Sequence, residues 1–178
     1  DRLARNGVRL TRHYSQCAPC SPGRASLYTG MYQMNHRVVA NGTPLDRRFD
    51  NVALLARRAG YAPTLFGYTD QSADPRDTTG PDDWRLTSFE GILPGFDCEL
   101  FIPEPHELWI NHLRANGFDV PMNAQQALLS EPTRPAEFGI SAFLTDHFLG
   151  WLDRQDGPWF AHTSYLRPHP PYSAPGKW

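Results

Sequence analysis

The sequence predicts an α/β fold, with helices packed against a sheet of short strands, and three observations carry that prediction. Two stretches, 51–67 and 139–165, each read as a helix followed at once by a strand. The first strand portion, Ala62 to Gly67, reads as buried, as strands covered on both faces require. Seventeen prolines and 14 glycines among 178 residues supply long ordered loops, and loops at the C-terminal ends of such strands are where α/β sheets place ligand sites.

Taken in order, Asp1-Arg2-Leu3-Ala4-Arg5-Asn6-Gly7 reads as the interior and glycine stop of a helix. Val8 to Tyr14 alternates enough to predict a strand entering a cysteine-bearing loop. Pro22 suits a first helical turn, where its missing N–H has no intrahelical partner, and Gly30 suits the end of that helix. Residues 51–60 form an amphipathic pattern with Asn51 as cap and Gly60 as stop, and Ala62 to Gly67 then reads as a buried strand. Residues 71–138 lack clean periodicity and predict an insertion that forms a specificity lid. Ile140, Phe143, Leu144, Phe148, Leu149 and Leu152 recur at helical spacing within Gly139 to Gln155, and Pro158 to Tyr165 is another strand.

Composition sets wide bounds. The chain is one domain's worth, its net charge is −2 and its hydrophobic fraction 40%, so nothing argues for a nucleic-acid groove or a membrane span. Three cysteines without framework spacing do not make a disulfide scaffold.

The chemistry gathers at Cys20-Ser21-Pro22-Gly23-Arg24. Cys20 falls at the start of a helix, where free backbone N–H groups and the positive dipole end make a cradle for sulfate, phosphate or phosphonate oxygens. Arg24, one turn on, adds a fixed cation on the same face. Cys17-Ala18-Pro19-Cys20 is also a C-x-x-C, which keeps a thioredoxin-type redox pair or half a zinc site open. The redox reading leaves Arg24 and Thr29-Gly30 without a role, and the only other cysteine, Cys98, has no ligand at zinc-finger spacing.

C-x-P-x-R, followed by a small residue, an apolar stretch and Thr-Gly, resembles the formylglycine-dependent sulfatases of the alkaline phosphatase superfamily. That resemblance implies a fold with an alkaline-phosphatase-like mixed sheet flanked by helices, incomplete here. The family's metal-binding aspartate strand and its later Asp-His or Asp-Asn pair with a lysine are not in these residues, so 1–178 is expected to be an internal, partial catalytic domain. A signal peptide can then be neither seen nor excluded; location stays unknown, with the cytoplasm favoured. The resemblance further implies that Cys20 is converted to formylglycine, that this group ligates a divalent metal (Mn, Ca, Mg or Zn) whose other ligands lie outside the chain, and that one hydroxyl of its hydrated aldehyde attacks sulfur or phosphorus in line with the leaving group. Hemiacetal collapse then expels the product. Arg24 would stabilise the diol.

Three further stretches match the family. Asn41, in Val38-Val39-Ala40-Asn41-Gly42, falls where an asparagine hydrogen-bonds substrate oxygens, although Asn-Gly is a turn signal by itself. His36 and Arg37 belong to the same stretch and are expected to orient it. Gly67-Tyr68-Thr69-Asp70 carries Tyr68 where many sulfatases have a sulfate-gripping lysine, and a tyrosine there resembles the phosphonate monoester hydrolase and phosphodiesterase branch, as do Met31 to Arg37 and Asp74-Pro75-Arg76. A phenol donates a hydrogen bond without a full charge, which suits a singly charged ester. Asp70 departs from the pattern and is expected to pair with Arg76 or to lie turned away. In Leu166-Arg167-Pro168-His169-Pro170-Pro171, flanking prolines hold His169 outside regular structure; the resemblance implies general acid or hydrogen-bond donor, against a plain surface histidine. His13, His106, His112, His147 and His162 show no ligand spacing.

The expected function is therefore a metal-dependent formylglycine hydrolase cleaving phosphonate monoesters or phosphodiesters, with sulfate esters as a side activity. A sulfatase proper, an anion-binding but catalytically incompetent fragment, and a C-x-x-C redox protein remain as alternatives. Expected partners are a small anionic ester, a formylglycine-generating enzyme and a second copy of the chain.

Overall fold

A computed structural model describes residues 2–176; Asp1, with which the first expected helix opens, lies outside them. The elements run α1 (Arg2–Asn6), α2 (Cys20–Thr29), α3 (Gln33–His36), α4 (Val52–Arg58), β1 (Pro63–Gly67), β2 (Asp97–Phe101), α5 (Glu107–Ala115), α6 (Ala124–Leu129), α7 (Ile140–Leu152) and β3 (Phe160–Thr163), with short 3-10 turns between them. The three strands form one parallel sheet in the order β2-β1-β3. Every residue of the central β1 is buried. Side chains alternate across a strand, so Leu65 joins Tyr28, Ala53, Leu93 and Phe96 on one side of the sheet. Phe66 faces the other, among Leu100, Trp109, Leu113, Phe143 and Trp151. Helices thus cover both faces, the α/β arrangement expected. No helix among the described residues is long and apolar enough to cross a membrane.

Local chemistry explains the helix ends. Asn51 precedes α4 in extended conformation and its side chain accepts from the N–H groups of Ala53 and Leu54, the capping geometry its residue type favours. Gly30 ends α2 at φ 69°, in the left-handed region.

One expectation needs correction. Val8 to Tyr14 is not a strand: the segment is irregular and Val8, Leu10 and Tyr14 are exposed. A strand needs a ladder partner, and the sheet of described strands begins at Pro63. The stretch 71–138 contributes to the sheet itself. It supplies β2, paired along β1 from Thr64↔Asp97 to Gly67↔Phe101, and α5, whose Trp109, Ile110 and Leu113 are fully buried.

Candidate active site

The C-terminal ends of β1 and β3 and the N-terminus of α2 meet at a cavity of about 450 Å³. Cys20, Arg24, Asn41, Tyr68 and His169, the five residues expected from sequence, all line it. Cys20 is the first residue of α2 and Pro22 lies in its first turn, as their residue types predict. A Cβ at Gly23 would stand 3.0 Å from the carbonyl oxygen of Cys17. A larger residue there would press on the preceding loop, which would have to give by a few tenths of an ångström. Cys17 itself contacts Ser26 Oγ at 3.4 Å and does not line the cavity.

Behind the helix, His36 is buried and its tautomer follows from its partners. The Val38 N–H donates to Nδ1 at 3.1 Å, so the proton sits on Nε2, which donates to Ser26 Oγ at 2.8 Å. Ser26 in turn donates to Gln16 Oε1 at 3.0 Å. Burial lowers the His36 pKa, which favours this neutral form. The expected orienting role of His36 thus has a concrete route: it ties α3 to α2 and α2 to the loop before it.

Arg24 is the central tie. Its Nη1 donates to the Tyr68 carbonyl at 3.1 Å and to Ser164 Oγ at 2.7 Å, and its Nε meets Asp70 Oδ2 at 2.8 Å. One guanidinium therefore joins α2 to the ends of both β1 and β3. Asp70 is neither paired with Arg76 nor turned away: it lines the cavity, and Arg76 donates through Nε to Asp74 at 3.0 Å instead. Burial raises the Asp70 pKa against the opposing pull of Arg24 and His169.

Asn41 takes the turn that its Asn-Gly step predicts and makes one contact besides. It sits in a turn closed by Thr43 N–H donating to Ala40 O, and its Oδ1 accepts the Ser21 N–H of α2 at 2.9 Å. A loop side chain thus caps the helix from outside, with Nδ2 as its remaining polar group. Tyr68 is buried, and burial together with the neighbouring Glu90 and Asp70 carboxylates drives its pKa well above the usual phenol range. Its hydroxyl stays protonated and neutral.

His169 is exposed at the rim, and its Nδ1 donates to the Pro170 carbonyl at 2.7 Å. That bond leaves Nε2 available. The loop that carries it is stapled by Arg167, which donates through Nη1 to His169 O at 2.9 Å and through Nε to Glu131 Oε2 at 2.9 Å. Glu131 is 1% exposed and its other oxygen accepts the Ile140 N–H that starts α7. Breaking a buried ion pair strands the remaining charge at a cost of about 3–5 kcal/mol. Glu131→Gln is accordingly expected to lower the melting temperature and to loosen 167–173, which limited proteolysis would detect.

Sequence reasoning missed Ser164, Gln71 and Asp70 as site residues. Gln71, 2% exposed, donates through Nε2 to the Ser21 carbonyl at 3.1 Å. Each acts across 44 or more positions of chain, and no local pattern marks such a pairing.

No three His, Cys, Asp or Glu side chains among the described residues converge closely enough to hold a metal ion. These residues alone do not make the divalent-metal site that the family resemblance implies.

The chain matches the family described as Sulfatase over residues 1–178. It is 41% identical to the multifunctional alkaline phosphatase superfamily protein PehA of Trinickia caryophylli, covering 98% of this chain and 36% of that protein. It superposes on the phosphonate monoester hydrolase of Agrobacterium radiobacter with TM-score 0.84 and 49% identity, over 93% of this chain and 34% of that one. The corresponding enzyme of Silicibacter pomeroyi gives TM-score 0.84 and 41% identity, over 92% of this chain and 35% of that one. The chain thus spans about a third of the length of these relatives. A match along all 178 residues, with the C-x-P-x-R helix at the mouth of the cavity, places the chain in the sulfatase family, within the alkaline phosphatase superfamily.

Proposed function

We propose that this cavity is the ester-cleaving site of a formylglycine hydrolase that acts on phosphonate monoesters or phosphodiesters, with sulfate esters as a side activity. The observation that carries the reading is the convergence of Cys20, Arg24, Asn41, Tyr68 and His169 on one cavity at the strand ends. Formylglycine at position 20 would supply a hydrated aldehyde as nucleophile. The α2 N-terminus favours negative charge beside it. Arg24 holds the helix against β1 and β3, so that the nucleophile and the recognition groups keep one geometry. Tyr68 donates a neutral hydrogen bond to a non-bridging oxygen, and Asn41 Nδ2 does the same. His169, its Nδ1 already committed, delivers a proton from Nε2 to the departing oxygen when the imidazole is charged.

The substrate preference rests on Tyr68 and on the named activity of the Agrobacterium radiobacter and Silicibacter pomeroyi relatives. Grafted in place of the matching third of the Agrobacterium radiobacter enzyme, the chain is expected to hydrolyse a phenylphosphonate monoester faster than an aryl sulfate. Faster turnover of the sulfate would assign a sulfatase proper, and turnover of neither would leave an anion-binding chain. Tyr68→Lys in the same graft is expected to shift the ratio toward sulfate, because it restores the residue that many sulfatases carry at this place. An unchanged ratio would mean that Tyr68 does not set preference.

A further inference from the structure

We infer that Tyr28 and His162 are positioning residues: together they form a polar rung that sets the register of α2 on the sheet, and so the aim of Arg24 and of the side chain at position 20. The inference rests on the cavity being the ester-cleaving site. Packing alone gives α2 little purchase. Its buried residues are Ser21, Pro22, Ala25, Ser26 and Tyr28, of which only the tyrosine is large. Two polar contacts reach instead from α2 to β3 and the residue just past it: Arg24 Nη1 to Ser164 Oγ at 2.7 Å, and Tyr28 Oη to His162 Nε2 at 3.2 Å. Their spacings agree. Four residues of helix rise about 6 Å and two residues of strand about 6.6 Å, so Arg24 and Tyr28 meet Ser164 and His162 as successive rungs. Alternation along the strand puts Phe160 and His162 on one side of the sheet, the side on which Phe160 joins the Tyr28 and Leu65 cluster. Ser164 extends the same alternation, since its N–H continues the β1–β3 ladder.

The hydrogen bonds of this rung have one self-consistent direction. Tyr28 is buried, and its hydroxyl also bonds the Arg24 guanidinium one turn earlier on the helix. A guanidinium donates and never accepts. The Tyr28 oxygen therefore accepts from Arg24, and its own proton points to His162. His162 Nε2 is then the acceptor, which places the imidazole proton on Nδ1. Burial and the charge of Arg24 both lower the His162 pKa, in keeping with a neutral ring. Tyr28 keeps its proton because burial raises its pKa. The imidazole stands edge-on to Tyr28, ring centres 5.5 Å apart, and lies 5.6 Å from the centre of Phe96. The opposite tautomer would aim the phenol hydrogen at a cation. The Nδ1–H form of His162 is thus what lets the tyrosine steady the arginine, as a tie beyond those to Tyr68, Ser164 and Asp70.

Two measurements test the rung. NMR of the imidazole nitrogens in the chain itself is expected to show His162 neutral with its proton on Nδ1. The Nε2–H tautomer, or a charged ring at neutral pH, would overturn the inference whatever the enzyme does. The second measurement is steady-state kinetics in the Agrobacterium radiobacter graft. A misplacement of about 1 Å can cost about 100-fold in rate. With the Ser164 contact still in place, Tyr28→Phe and His162→Phe are each expected to lower kcat about tenfold while KM stays within about threefold. Both variants break the same bond, so the double variant should also lose about tenfold, not about 100-fold. His162→Gln, whose amide oxygen can accept where Nε2 does, is expected to recover most of the rate. Unchanged kcat with a lowered melting temperature, or losses that multiply in the double variant, would overturn the positioning role and leave the proposed function standing. A wild-type graft that turns over no ester would count against that function instead, and the tautomer then decides the rung by itself.

Discussion

Cys20→Ala is expected to reduce ester hydrolysis by about 10⁵-fold, the scale of loss when an enzyme's nucleophile is removed, while the protein keeps its fold. The two halves of that expectation have separate causes. Cys20 is the first residue of α2 and only partly buried, and alanine is a better helix former than cysteine. Thermal stability should therefore change by less than about 1 kcal/mol. The anion cradle survives as well, because the capping bond from Asn41 and the three contacts of Arg24 do not involve the Cys20 side chain. Monoester affinity should stay within about threefold of wild type. Retained hydrolysis would place the nucleophile elsewhere, whereas lost binding would mean that the cysteine shapes the cavity instead of reacting in it. Steady-state rates in the Agrobacterium radiobacter graft, paired with calorimetric titration, separate these outcomes.

Gly67→Ala is expected to destabilise the protein by about 2–5 kcal/mol and to weaken anion binding with it. Gly67 ends β1 at φ 103°, a conformation that costs an L side chain about 1–2 kcal/mol. A Cβ there would stand 2.6 Å from the Ser164 carbonyl oxygen and 3.1 Å from its Cβ. That neighbour is backbone, so relief requires β3 to move, at a further cost of about 1–3 kcal/mol. Movement of Ser164 disturbs two bonds at once: its N–H donates to Phe66 O at 2.8 Å, continuing the β1–β3 ladder, and its Oγ accepts from Arg24. The melting temperature should fall by about 10 °C. A variant of wild-type stability would show that the two strand ends are not in this close contact.

The parts of the site that were legible in the sequence are those encoded locally. The α2 terminus could be read because proline, glycine and arginine positions each carry a backbone or charge preference within one helical turn, and Asn51 announced α4 in the same way. β2 escaped notice because it is an edge strand whose Asp97, Cys98 and Glu99 are exposed, leaving only Leu100 buried. A strand with one buried residue has no apolar period to detect. α5 did carry a signal, Trp109, Ile110 and Leu113 on one face. Its entry through His106 at φ 60° supplies no ordinary cap to mark the start. Val8 to Tyr14 shows the converse failure, a strand-like pattern whose segment pairs with none of the described strands. The Arg24–Asp70 and Arg167–Glu131 pairs depend on where β1 ends and on how the loop after β3 folds back. Tertiary structure alone brings those charges together.

The proposed chemistry depends on the identity of the side chain at position 20, and the most direct measurement is mass spectrometry of the proteolytic peptide spanning Cys20, from chain co-expressed with a formylglycine-generating enzyme. The expected result is the aldehyde, seen as a peptide lighter than the thiol form and reactive toward a carbonyl-trapping hydrazine. A peptide that carries only unmodified cysteine under those conditions would contradict the account.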